Sequence, residues 1–315
     1  MNKLQAELTR AIEVKPLVFE GAYDPNLAQF QDLVVATQSN PASDLQLSLS
    51  HPELIRRMHQ DYVAAGCDVL QTFSWGLHPT FFDPPVGDDK IAQAARRDAE
   101  IAGEVAGTNP PTGRRRWVAG IVPAGVPLSL KKTTVEAAQS AARLVAGALI
   151  SGGADLLVLA LQTSIVDAMA ALDGVVQACE HMNAKPPILV SFEIGPVGHA
   201  GPAGLIFGGD LAQALATCES AGAFSVGVYL TTHPARLPEA LFGSKVRRTH
   251  AHVFADAGYT EIVDGELQCS LGPKEYSRIV AEQAKRLSLG FIGGGWGLSP
   301  QHIHELRLEV DAIKR

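Results

Sequence analysis

Cysteine is scarce and scattered in this 315-residue chain: Cys67, Cys179, Cys218 and Cys269 form no CxxC pair and no spacing that suits a metal. Such a set argues against a disulfide framework and reads as reduced thiols of a cytoplasmic protein. Long apolar runs are missing too. No stretch approaches the ~18 residues that a membrane span needs, and the opening MNKLQAELTRAIEVKP is polar and amphipathic, without the apolar core of a secretion signal. Basic charge is not in excess: 26 Lys and Arg stand against 33 Asp and Glu, a formal net charge of −7. That balance speaks against nucleic acid as a partner. The one tight basic run, Arg114-Arg115-Arg116, sits just before a predicted strand and reads as a solvated loop. No internal repeat and no Pro/Gly/Ser-rich linker divides the chain, which reads as one domain over residues 1–315.

What is present is a steady alternation. Hydrophobic residues make up 46% of the chain, enough for a full core. Short apolar runs predict strands at Leu17–Glu20, Asp68–Phe73, Trp117–Val122, Asp155–Leu161, Pro187–Glu193, Ser225–Tyr229, Thr249–Phe254 and Gly290–Gly293. Amphipathic segments between them predict helices at Pro52–Ala65, Asp89–Ala106, Thr134–Ser151, Ser164–Asn183, Asp210–Ala221, Lys274–Leu287 and Pro300–Ile313. Near-continuous apolar strands separated by helices imply a parallel sheet covered on both faces, and eight of them imply closure into an α/β fold of the (β/α)8 TIM-barrel class. A doubly wound open sheet is the runner-up, but no Gly-rich phosphate turn follows the first strand. Extra length falls at Asp24–Ser50 and Ser74–Asp88, both after strands, where a barrel builds its catalytic face.

Glu20-Gly21-Ala22, His51-Pro52-Glu53, Ala65-Gly66-Cys67-Asp68 and Gly293-Gly294-Gly295, with other segments in register along nearly the whole chain, resemble the homocysteine S-methyltransferase family. Glu20-Gly21-Ala22 resembles its opening DGA/DGG turn. His51-Pro52-Glu53-Leu54-Ile55 through His59-Gln60-Asp61-Tyr62 and Ala65-Gly66-Cys67-Asp68 is similar to its first long helix and turn. Val69-Leu70-Gln71-Thr72-Phe73 and Gly195-Pro196 resemble the betaine-homocysteine methyltransferase branch. Gly153-Ala154-Asp155-Leu156-Leu157, Ala221-Gly222-Ala223 and Gly227-Val228 match later strands, and Gly293-Gly294-Gly295-Trp296-Gly297 with Pro300, His302 and Ile303 resembles the last one, GGCCG-x-x-P-x-H-I. The resemblance implies a barrel and one-carbon transfer. It also implies three zinc thiolates, two in GGCCG and one in GVNC, and at those positions this chain has Gly295, Trp296 and Leu230. Where the family holds the amino group of homocysteine with a Glu, this chain has Ala160. Zinc is therefore not expected. An uncoordinated thiol, with a pKa around 8.5, is a poor methyl acceptor near neutrality.

Other residues offer chemistry. Glu20 and Glu193 end strands and are expected to face the barrel mouth, as catalytic acid, base or countercharge. His252 shares a strand face with His250, and with His233 and Asp256 it offers a nitrogen/oxygen site for another metal. Gln71, Thr72, Phe73 and Trp75 are expected to line the pocket. Gly294, within Gly293–Gly295, is expected at an anion-binding corner. Aromatics gather at strand ends: Tyr23, Phe73, Trp75, Tyr229 and Trp296. Tyr229 and Trp296 stand at or beside the zinc-ligand positions, either as packing plugs or as a wall for an onium ion. The expected function is a diverged, zinc-independent methyltransferase or demethylase for a small methylated ammonium or sulfonium compound. The acceptor is open among a thiol activated by a protein base, a folate and the corrinoid of a partner protein, and a homo-oligomer is open too. Two alternatives stand beside it: a lyase or hydrolase using Glu20, Glu193 and His252, and a non-catalytic small-molecule-binding homologue.

Overall fold

The computed structural model of the protein describes residues 2–22, 42–108, 114–194, 205–206, 209–237, 250–263 and 266–313. Eight parallel strands close into a barrel. They are β1 (Leu17–Phe19), β2 (Val69–Gln71), β3 (Trp117–Val122), β4 (Leu156–Gln162), β5 (Ile188–Ile194), β6 (Ser225–Leu230), β7 (Ala251–Ala255) and, after an antiparallel hairpin of β8 (Thr260–Val263) and β9 (Glu266–Cys269), β10 (Phe291–Gly294). Each barrel strand pairs with the one before it, and β10 closes the ring between β7 and β1.

The helices begin where the sequence supplies caps. α1 (Lys3–Val14) opens with a capping box of Asn2 and Gln5. Beyond it come α2 (Ala42–Ser50), α3 (Pro52–Ala65) and α4 (Asp88–Ala106). α5 (Val135–Ser151), α6 (Ile165–His181) and α7 (Leu211–Ser220) are capped by Thr134, Ser164 and Asp210. α8 (Pro273–Leu287) and α9 (Pro300–Ala312) each carry proline at the first position, where its missing N–H costs nothing. α3 stops at Gly66, whose φ of 98° is the left-handed cap that glycine takes without strain.

Strand alternation divides the apolar side chains into two cores. Val18, Leu70, Val118, Leu157, Val190, Val228, Leu230 and Ile292 face the helices. Phe19, Val69, Trp117, Leu156, Leu189, Phe254 and Phe291 fill the barrel, with Leu8 and Ile12 of α1 packed into the same cluster from below. α1 thus closes the floor, leaving the C-terminal strand ends as the mouth.

Among the described residues, Ser191, Ser225 and His252 bring polar groups into the interior. His252 is fully buried with Nδ1 2.9 Å from the Ser225 hydroxyl, and its ring lies across Gly227, where a Cβ would come within 2.6 Å of His252 Cδ2. Burial holds its pKa down at about 3. In the unfolded chain an imidazole takes up a proton near pH ~6.5, so below that pH the unfolded state binds more protons than the native one. The stability from a neutral His252 is present above pH ~6.5 and is lost as pH falls toward about 3. Replacing His252 with Gln is expected to flatten the stability–pH curve over that interval by about 1.4 kcal/mol per pH unit. Urea denaturation at a series of pH values measures it, and parallel slopes for the two proteins would refute it.

The sequence expectations hold for the eight strands and seven outer helices to within a few residues and miss α1, α2 and the hairpin. β2 stops at Gln71 rather than Phe73 because the Thr72 hydroxyl accepts the Ile121 N–H at 2.9 Å, in place of a backbone carbonyl. Phe73 packs in the helix-side core. Tyr23, residues 24–41 of the first long loop, and Gly195-Pro196 lie outside the described residues. The basic run is not simply solvated: Arg116 is buried and donates to the Thr108 carbonyl, and Arg115 stacks over Trp117 at 4.0 Å. No described helix is long and apolar enough to cross a membrane.

Candidate functional site at the barrel mouth

Glu193 near the end of β5 and Tyr229 near the end of β6 are register partners, both on the interior face. Burial pushes the Glu193 carboxyl above its ordinary pKa. Tyr229 is buried, and its hydroxyl donates to Asp256, just beyond β7. Burial first, then the Asp256 charge, raises the phenol well above its usual value. Asp256 also accepts the Trp296 backbone N–H at 2.7 Å, joining the ends of β6, β7 and β10.

Across the mouth, Trp75 meets Tyr229 edge to face, ring centroids 6.1 Å apart at 76°. Its position is set by the turn after β2. The Thr72 and Ser74 hydroxyls lie 2.7 Å apart, and Ser74 donates to the Ile121 carbonyl at 2.7 Å. Gln71 donates from its side chain to the Glu20 carbonyl at 2.8 Å and to the Gly294 carbonyl at 3.4 Å, so it ties strand ends together. Gly294 itself has φ 70° and lies against the Phe254 ring.

Three expectations are corrected. Glu20 does not open into the mouth. It falls on the same side of its strand as Val18, and its carboxylate is buried against α3, 2.9 Å from His59 Nδ1, with the Gln71 N–H donating to it at 2.6 Å. Burial outweighs His59 and raises its pKa. The histidines do not converge. His252 sits a layer below the mouth, His250 stacks on Phe224, and His233 caps its own turn beside Tyr259. Among the described residues no group of three His, Cys, Asp or Glu is placed to hold a metal. Trp296 does not pair with Tyr229: the residue is 47% exposed, and the ring that meets Tyr229 is that of Trp75.

Sequence reasoning also passed over two residues. Leu161 adopts φ 54°, a left-handed backbone that is costly for a branched side chain and gathers at functional sites. It occupies the register shift between β4 and β5, where the Gln162 side chain folds back onto the Ala160 carbonyl. His59 was visible only as part of a helical pattern, and nothing local pointed it at Glu20.

The three positions that the resemblance matches to zinc thiolates do not suit a zinc ion here. Leu230 faces the helix-side core, and Trp296 offers no donor. At Gly295 a Cβ would lie 2.5 Å from the Asp256 nitrogen and closer still to the Ala255 carbonyl.

A family model described as homocysteine S-methyltransferase matches residues 17–310. Methionine synthase from Mycobacterium leprae (strain TN) is 26% identical over 311 residues, 98% of this chain and 25% of that protein. Methionine synthase from Mycobacterium tuberculosis (strain ATCC 25618 / H37Rv) is 25% identical over 271 residues, 85% of this chain and 22% of that one. The chain spans about a quarter of the length of these curated relatives. The homocysteine methyltransferase MmuM from Escherichia coli, metallated form, shares the fold with a TM-score of 0.74 at 20% identity, over 98% of this chain and 99% of that one.

Proposed function

Because the chain belongs to the homocysteine S-methyltransferase family, we propose that it is a methyl-transferring enzyme working without thiolate-bound zinc on a small methylated ammonium or sulfonium compound. The observation that carries this reading is the edge-to-face pair of Trp75 and Tyr229 beside the carboxylates of Glu193 and Asp256. Aromatic faces attract an onium ion, by about 0.5–2 kcal/mol per well-placed ring once water is excluded. The carboxylates supply the opposite charge, so neither a metal nor a thiolate is needed to hold the donor.

Transfer to a thiol then balances within the site. The S–CH3 bond forms as the donor's C–N or C–S bond breaks, and the electron pair stays with the departing neutral amine or sulfide. The thiol proton passes to Glu193, whose burial-raised pKa makes it a better base than an exposed carboxylate. A folate or the corrinoid of a partner protein is the other acceptor class the reading admits, and single-turnover methyl transfer with each separates them.

Calorimetry with tetramethylammonium and trimethylsulfonium tests donor binding. Trp75→Ala is expected to weaken both by about tenfold, the equivalent of about 1.4 kcal/mol, and Trp75→Phe by less. An unchanged affinity in Trp75→Ala, measured on protein shown to be folded, would remove the aromatic contact and the reading with it.

A further inference from the structure

At the end of the barrel opposite the mouth, α1, the chain entering β3 and the last turns of α9 border an open cavity of about 540 Å3. Five cations line it: Arg10, Lys15, Arg114, Arg115 and Arg307. The carboxylates they meet are fewer. Arg307 reaches Asp68 at 2.7 Å, and Arg115 pairs with Glu7 and, at 3.0 Å, with Asp155. Asp311 alone serves three of them, Arg307 at 2.9 Å, Arg114 at 3.1 Å and Lys15 at 3.3 Å. Five cations against four carboxylates leave one positive charge in excess around a concave space, in a chain that is acidic overall.

The same cavity has an apolar wall of Ala11, Val14, Pro16 and Leu17, and Val14 is 68% exposed. Its volume is that of a small-molecule site, about 300–1,000 Å3. Arginine guanidinium groups suit phosphate and carboxylate oxygens because they donate in parallel pairs. We propose that this floor cavity binds a small organic polyanion, a compound carrying two or more phosphate or carboxylate groups on a compact apolar body. Its charged groups meet Arg10, Arg114 and Lys15 while the body covers Val14. Bound there, it joins α1 to α9 and to the start of β3. The site stands at the far end of the barrel from the methyl-transfer mouth and does not depend on the reading given for that mouth.

Calorimetry and thermal unfolding at constant ionic strength, with inorganic pyrophosphate, citrate and ADP as probes and adenosine as the uncharged control, test it. At least one polyanion is expected to bind saturably and raise the melting temperature, ADP more tightly than pyrophosphate because of the apolar wall, and adenosine not at all. Arg10→Ala and Arg114→Ala are each expected to weaken that binding by about tenfold, with Arg114→Lys recovering part of the loss. Both side chains are exposed, so the variants keep the fold, and tetramethylammonium affinity at the mouth is expected to stay unchanged in them. Three results would overturn the proposal. They are no saturable binding by any of the three anions, binding equal in wild type and the Arg10→Ala/Arg114→Ala double variant, or binding only of a hexaglutamate peptide, which would mark the patch as a docking point for an acidic protein segment.

Discussion

Gly295→Cys is expected to destabilise the protein by at least about 3 kcal/mol, at the upper end of overpacking. There is no room for its Cβ, which would press on the Ala255 carbonyl and lie 2.5 Å from the Asp256 nitrogen. Those neighbours are backbone and do not swing aside. Asp256 is further held by its bond to the Trp296 N–H. The triple variant Leu230→Cys/Gly295→Cys/Trp296→Cys, which puts thiols at the three positions the resemblance matches to zinc ligands, is therefore expected not to take up zinc. A thiol at position 230 would also start from the helix-facing side of β6. Chemical denaturation of the single variant and elemental analysis of the triple one check both statements. A folded triple variant holding one zinc per chain would refute the second outright.

Glu193→Gln is expected to lower turnover by about a hundredfold or more, the usual scale for a general base, while changing onium affinity by a smaller factor. The amide keeps the shape of the side chain but cannot receive the acceptor's proton. The two effects separate in kcat and in the donor's dissociation constant. In the wild type, activity is expected to rise with pH through the elevated pKa of Glu193, because the base works only when ionised. That limb should vanish in the Glu193→Gln variant. If that variant kept wild-type turnover with the same pH limb, the base would have to lie elsewhere at the mouth.

The barrel was legible because its strands are apolar on both faces, which leaves few other arrangements for runs such as Leu156–Ala160 and Ile188–Phe192. α1 was not, since its interior-facing residues, Leu8 and Ile12, are too few to stand out from a polar segment until the barrel above them exists. Mouth residues were legible only where strand parity was secure. Glu193 and Tyr229 follow two or more alternating positions inside their strands. Glu20 follows a three-residue strand, and the turn after it, with His59 waiting on α3, decides where its carboxylate goes. The contact between Trp75 and Tyr229 was half legible. Tyr229 was recognisable from its strand end, but choosing Trp75 over Trp296 needed the Thr72–Ser74 anchoring on β3, a contact between segments more than 40 residues apart.

Asp256 accepts from the Tyr229 hydroxyl and from the backbone of Trp296, and the Trp296 indole stands half in water. An onium ion drawn to the Asp256 carboxylate is expected to disturb its bond to the peptide bearing an indole whose emission responds to its surroundings. Binding at the mouth is therefore expected to change the protein's own emission, with Trp75 contributing beside Trp296, free of any attached dye. Trp117, buried at the floor under Arg115, is the third tryptophan and stands at the opposite end of the same barrel.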